Sequence, residues 1–200
     1  MDSTVILIGP ISAGKSTVGK LLAEKLRLPH YQLDEDRWTY YNEIGYDQAR
    51  VSEIARHGEG MLGVLRYWKP FEAHAVERIL QEHSGSVIDF GAGHSVYEEK
   101  DLFDRVERAL APYPNVVLLL PSPDLDESVA ILNARFLKML EEEGQQVDRV
   151  ILQVNEHFTK HPSNHRLAKM VVYTKGQTPQ ETRDEIVRRM QWMDDDTTPV

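Results

Sequence analysis

Two hundred residues, 41% of them hydrophobic and 28% charged, suffice for one globular domain and exclude a disordered chain. Thirty-two acidic residues against 23 basic ones leave a net charge of −9, a field that repels a phosphate backbone and excludes broad nucleic-acid binding. The absence of cysteine also excludes a disulfide framework, a thiolate zinc site and a cysteine nucleophile.

The first apolar run, Thr4-Val5-Ile6-Leu7-Ile8, is too short for a membrane span and lacks the basic flank of an export signal. It predicts a buried strand over 5–8 in a cytoplasmic protein without a membrane partner. Next comes Gly9-Pro10-Ile11-Ser12-Ala13-Gly14-Lys15-Ser16, which fits the phosphate-loop pattern G-x-x-x-x-G-K-[ST], with Thr17 following. Glycines let backbone N–H groups converge on phosphate oxygens, and a helix N-terminus adds positive potential. The expected ligand is ATP, held by Gly9, Ser12, Ala13, Gly14 and Thr17. Lys15 follows the β- and γ-phosphate charge, and the Ser16 hydroxyl ligates Mg²⁺. No guanine-reading N-K-x-D segment is present, and a motor ATPase needs more chain, so the pattern points to a small phosphotransferase.

A helix over 15–26 follows, with Val18, Leu21, Leu22 and Leu26 on one face and Lys20, Glu24 and Arg27 opposite. A strand over 30–33 leads into Asp34. A carboxylate at the C-terminal end of a strand faces the ligand crevice and can orient and deprotonate a hydroxyl nucleophile. Alternatively, Asp34 and Asp36 cap a following helix. Residues 38–71 gather Trp38, Tyr40, Tyr41, Tyr46, Tyr67, Trp68 and Phe71, seven of the sixteen aromatics in the chain. This segment is either a small extra core or the wall of a ligand pocket. Helical spacing is visible there only over 47–56.

Beyond it the patterns predict a helix over 71–82, a strand over 86–90, a helix over 99–110 and a strand over 116–120. Helices over 128–142, 148–158 and 178–193 and a strand over 170–173 complete the chain. This alternation implies an α/β fold, a three-layer α/β/α sandwich around a mostly five-stranded parallel sheet. It is one domain over 1–193, with a substrate-binding insert at 37–70, a helical lid region at 126–165 and an acidic tail at 194–200. Asp89 ends the third strand, where it either holds Mg²⁺ through its water shell or satisfies loop amides. His157, His161 and His165 follow helical spacing, but Pro162 interrupts them and no neighbouring carboxylate or thiol completes a metal-ligand set.

From Val5 to about residue 190 the sequence resembles the shikimate kinase family of small P-loop kinases. The resemblance rests on the phosphate loop and on Leu28-Pro29-His30-Tyr31-Gln32-Leu33-Asp34, which is similar to the family's strand ending in D-x-D. It continues through Ser86-Val87-Ile88-Asp89-Phe90-Gly91-Ala92-Gly93, similar to the third strand and glycine triplet. It implies that Asp34 engages the substrate hydroxyl as catalytic base, with Asp36 beside it, and that Gly91, Ala92 and Gly93 approach the substrate. Gln32 replaces the family's first aspartate, a loss that Asp89 offsets. It further implies adenine contacts at Arg135, Thr174 and Pro179, and a lid charge from Arg149 or Lys138.

The departures fall on the acceptor. Phe71-Glu72 stands where the family has Phe-Arg, whose arginine pairs with a carboxylate, and Lys160 replaces the second such arginine. The resemblance therefore implies an ATP-dependent kinase, monomeric or homodimeric, for a neutral or cationic small molecule rather than shikimate. Rival readings are a nucleoside or nucleotide kinase that stacks a base on the aromatics of 37–70, and a nucleotide-binding switch without chemistry. His94, just after the glycine triplet, is placed to touch a ligand.

Overall fold

The computed structural model of the chain describes residues 4–56, 60–145 and 149–195, of which 191–195 as backbone only. Five parallel strands form one sheet in the order β2-β3-β1-β4-β5. They are β1 (Val5–Ile8), β2 (His30–Gln32), β3 (Val87–Asp89), β4 (Asn115–Leu120) and β5 (Met170–Tyr173). β1 lies in the middle, with Val5 opposite Val87 of β3 on one side and Asn115 of β4 on the other.

Because strand side chains alternate, the central strands feed two separate cores. Ile6, Ile8, Ile88, Val116 and Leu118 pack under α2 (Leu33–Glu43), α4 (Gly60–Glu82) and α5 (Lys100–Leu110). Val5, Leu7, Val87, Val117 and Leu119 face the other way, against α1 (Lys15–Leu26), α6 (Leu125–Glu142) and α9 (Pro179–Asp195). This is the predicted α/β/α sandwich. A third, smaller core of Val96, Val154 and Phe158 takes in Ile11 of the phosphate loop and Leu65 of α4. It seats α7 (Arg149–Lys160) over the C-terminal edge of the sheet, beside the short α8 (Ser163–Leu167).

Residues 37–70 are more helical than their pattern predicts. Besides α3 (Gln48–Arg56), they hold α2 and the first half of α4, which runs through Pro70 instead of starting after it. Proline removes one ladder hydrogen bond, but burial of Val64, Phe71, Ala73 and Val76 on the same helix outweighs that loss. The predicted tail begins within α9, and residues 196–200 lie outside the described residues.

Candidate active site

The phosphate loop links β1 to α1 and depends on backbone conformations that glycine permits. Gly9 has φ +141°, and a β-carbon there would lie 2.7 Å from the Leu119 carbonyl; Gly14 has φ +91°. No side chain caps α1, so the N–H groups of its first turn stay open to an anion. The Lys15 ammonium donates to the Gly9 and Pro10 carbonyls at 2.9 and 2.8 Å. Desolvation pulls its pKa down to about 8, against the opposing pull of Asp34 and Asp89. Ser12, Ala13, Gly14, Lys15, Ser16 and Thr17 line a cleft of about 430 Å³ together with Asp34, Asp89, Gly91 and Ala92. Of the residues predicted around the phosphates, all but Gly9 thus line one cavity.

Asp89 is the last residue of β3 and is buried, with one carboxylate oxygen, Oδ1, lacking any hydrogen-bond partner. Burial pushes its pKa up, while the Ser16 hydroxyl, His30 and Lys15 pull it back. The imidazole of His30 approaches Oδ1 to 3.5 Å, across a gap that Gly19 keeps open by having no β-carbon. An orphaned carboxylate oxygen beside a serine hydroxyl is a hard-oxygen donor set, and Mg²⁺ fits it.

Asp34 lies in the first turn of α2, where acidic residues complement the helix dipole, and no side-chain hydrogen bond caps that helix. Its carboxylate accepts from Arg37 Nη1 at 3.0 Å and fills the space over Gly91, where a β-carbon would collide with it. Asp36 is a correction. Two residues apart on a helix point to nearly opposite sides, so Asp36 lines a separate groove with Tyr40 and Glu82 rather than pairing with Asp34.

A second cavity of about 250 Å³ adjoins the cleft at Ile11, Asp34 and Ala92. Its wall is mostly apolar: Met61, Leu65, Trp68, Ile151, Val154 and Phe158, with Arg37, Glu72, Gly93 and His94 adding polarity. Glu72 is buried and accepts from the Lys69 ammonium at 2.6 Å, and Lys69 also donates to the Gly93 carbonyl at 3.0 Å. The Glu72 carboxylate occupies the place a β-carbon on Gly93 would need. Glu72, Gly91, Ala92 and Gly93 therefore all line the two adjoining cavities.

Other predicted residues do not. Phe71 packs against Tyr41, Tyr46 and Tyr67 within the main core, so it supports the wall without lining it. Most of the clustered aromatics serve this core, and Trp68 alone among them lines the second cavity. Lys160 is half in solvent and held by Asp126 and Glu156 at 2.7 Å each; the buried cation beside Glu72 is Lys69. Arg135 is exposed on α6 and absent from the cleft wall, which Met139 reaches one turn later. Lys138 pairs with Glu142 at 3.8 Å, and Arg149 is exposed at the start of α7. Thr174 is buried behind β5, and Pro179 borders a groove beside Thr17 and Lys20 rather than the cleft.

Two features were not legible in spacing. Asn155 of α7 accepts from the Ile11 N–H at 2.9 Å and donates to Asn133 of α6 at 3.0 Å, tying α6 and α7 to the phosphate loop. Glu98, 59 residues before His157, reaches its Nε2 at 2.7 Å. With His161 it forms a trio of donor atoms within 4.8 Å of one another, so the missing carboxylate comes from far along the chain. His161 Nδ1 already accepts from the Ser163 N–H at 3.3 Å.

The family model for shikimate kinase matches residues 11–191. The shikimate kinase of Streptomyces coelicolor is 30% identical over 178 residues, covering 88% of this chain and 89% of its own. That of Streptomyces avermitilis is 28% identical over 185 residues, 92% of each chain. Among solved structures, shikimate kinase from Acinetobacter baumannii in complex with shikimate superposes with a TM-score of 0.63 at 20% identity, over 100% of this chain and 97% of its own. A gluconokinase from Sinorhizobium meliloti gives 0.57 at 15% identity over 98% of each chain. At these identities both structural likenesses speak to the fold. Among the described residues no helix is long and apolar enough to cross a membrane.

Proposed function

The chain belongs to the shikimate kinase family of small-molecule kinases, and from that membership we propose that it transfers the γ-phosphoryl group of ATP to a hydroxyl of an uncharged small molecule. The observation that carries the uncharged acceptor is the Lys69–Glu72 pair. Where the resemblance expects a carboxylate-reading arginine, the position holds a glutamate already neutralised by a buried lysine. Arg37, the remaining cation of the cavity wall, is paired with Asp34. A carboxylate entering such a pocket loses its hydration and finds its cations already paired, and an ammonium finds Glu72 and Asp34 paired in the same way.

Asp34 accepts the proton of the acceptor hydroxyl as its oxygen bonds to the γ-phosphorus. The bond from that phosphorus to the β,γ-bridging oxygen breaks, and ADP leaves. Lys15 leaves its loop carbonyls to neutralise charge on the transferring group. Ser16 and Asp89 would hold Mg²⁺, which would supply positive charge against the triphosphate. The insert 37–70 forms one acceptor wall, and α7 of the lid region the other.

The test is ADP release with shikimate and with its methyl ester, which has the same hydroxyls and no charge. The ester is expected to react with a kcat/KM roughly tenfold or more above shikimate. A preference for shikimate overturns the uncharged-acceptor reading.

A further inference from the structure

His94 lies in the 3₁₀ turn Ala92–Ser95, with its ring in the wall shared by the second cavity and Asp34. Its side chain is 2% exposed. Nε2 lies 3.3 Å from the hydroxyl of Tyr41, which is also buried. No other hydrogen-bond partner of that hydroxyl is found among the described residues, and a phenol that donates to Nε2 satisfies both groups. Burial holds the phenol protonated and pushes the imidazole below its usual range, leaving a neutral ring. A neutral imidazole that accepts at Nε2 carries its hydrogen on Nδ1.

Nδ1 is buried without a partner. It faces Asp34 Oδ1 at 3.9 Å, too far for a hydrogen bond. A donor and an acceptor so spaced fit two oxygens on adjacent carbons, which lie about a hydrogen-bond length apart. One oxygen gives its proton to Asp34, and its neighbour accepts from Nδ1. Buried polar atoms without partners are uncommon, and one on a side chain that lines a cavity calls for a ligand atom.

We propose that His94 reads the acceptor: its Nδ1–H, set by Tyr41, donates to the oxygen vicinal to the hydroxyl engaged by Asp34, and the acceptor is an uncharged vicinal diol. The phosphotransfer reading above is its premise. His94 is a positioning residue, and Tyr41 acts through it.

Two measurements test it on the full chain. Nitrogen-15 correlation spectra of histidine-labelled protein report the tautomer without any acceptor. His94 is expected as the Nδ1–H form in the wild type, losing that preference in Tyr41→Phe. An Nε2–H ring in the wild type overturns the proposal. Binding of methyl shikimate and of shikimate, both vicinal diols, is then titrated in the presence of a non-hydrolysable ATP analogue. His94→Phe is expected to weaken diol binding about fivefold to tenfold, the worth of one hydrogen bond, with analogue affinity unchanged. His94→Asn, which keeps an N–H near the Nδ1 position, restores most of the loss. Equal diol binding by wild type and His94→Phe overturns the role of His94. Preference for shikimate over its ester, still lost in His94→Phe, overturns the uncharged-acceptor reading and leaves His94 in place. A wild type that binds neither compound overturns both.

Discussion

The Lys69 ammonium sits 2.6 Å from the Glu72 carboxylate, and both side chains are at most 5% exposed. Neither charge has solvent to fall back on, so removing one leaves the other uncompensated. Glu72→Gln is expected to cost about 3 kcal/mol of stability. Lys69→Met/Glu72→Gln together should recover much of it, because no unpaired charge remains. Chemical denaturation of the single and double variants decides this, and additive losses would mean that the pair is not coupled.

Asp34 and Gly91 make a different kind of pair. Gly91 has φ −61° and ψ 152°, an ordinary extended conformation, so alanine there brings no backbone strain, only a β-carbon where the Asp34 carboxylate lies. That carboxylate is 55% exposed and can swing away. Gly91→Ala is therefore expected to fold with near-normal stability and lose turnover, approaching the roughly 10²- to 10⁴-fold loss of Asp34→Asn. Steady-state kinetics alongside thermal melts separate the two effects.

The depressed Lys15 pKa sets a pH window. Below about 8 the buried ammonium is charged in the folded chain and carries its desolvation cost. That cost is relieved as pH rises from about 8 toward the ordinary lysine value, so this group's contribution to stability increases over that window. Triphosphate affinity moves the opposite way, because the bound anion favours the ammonium. Calorimetry in buffers of different ionisation enthalpy should detect proton uptake on binding an ATP analogue near pH 8.5. Lys15→Ala should abolish the uptake and lower turnover by roughly 10²-fold or more.

Asp89 carries the reverse sign for a carboxylate. Its pKa is raised by burial, so above that pKa its charge costs the folded state, and the cost disappears as pH falls through it. Asp89→Asn is expected to stabilise the nucleotide-free protein at pH 7 by about 1 kcal/mol. The same change weakens Mg²⁺-dependent nucleotide binding. Melts with and without Mg²⁺ and nucleotide check both, and a destabilised variant would argue that the carboxylate serves the fold.

The sheet and the phosphate loop were legible because their signals are local. β1, α1 and β5 occupy the residues their patterns predict, since an apolar run and a 3.6-residue stripe need no partner to be recognised. The acceptor site was harder to read for a traceable reason. Pro70 ends a helix by any local rule, yet α4 continues through it, and only on a continuous helix do Lys69 and Glu72 become i,i+3 neighbours. Lys160, which the resemblance places at the acceptor, pairs with Asp126 and Glu156 instead of lining either cavity. Asp36 parts from Asp34 because both lie inside the first turn of α2, which carries no apolar stripe to mark where the helix begins. Glu98 and Asn155 act across long separations that no spacing rule reaches.

The central place of β1 also bears on how the chain is made. It leaves the ribosome before both its partners, which start only at Val87 and Asn115. Until both strands have emerged, four apolar residues with two unpaired edges await their neighbours, and the phosphate loop that they anchor has no fixed shape. Nucleotide therefore cannot assist the early stages of folding; it can only reward a sheet already assembled.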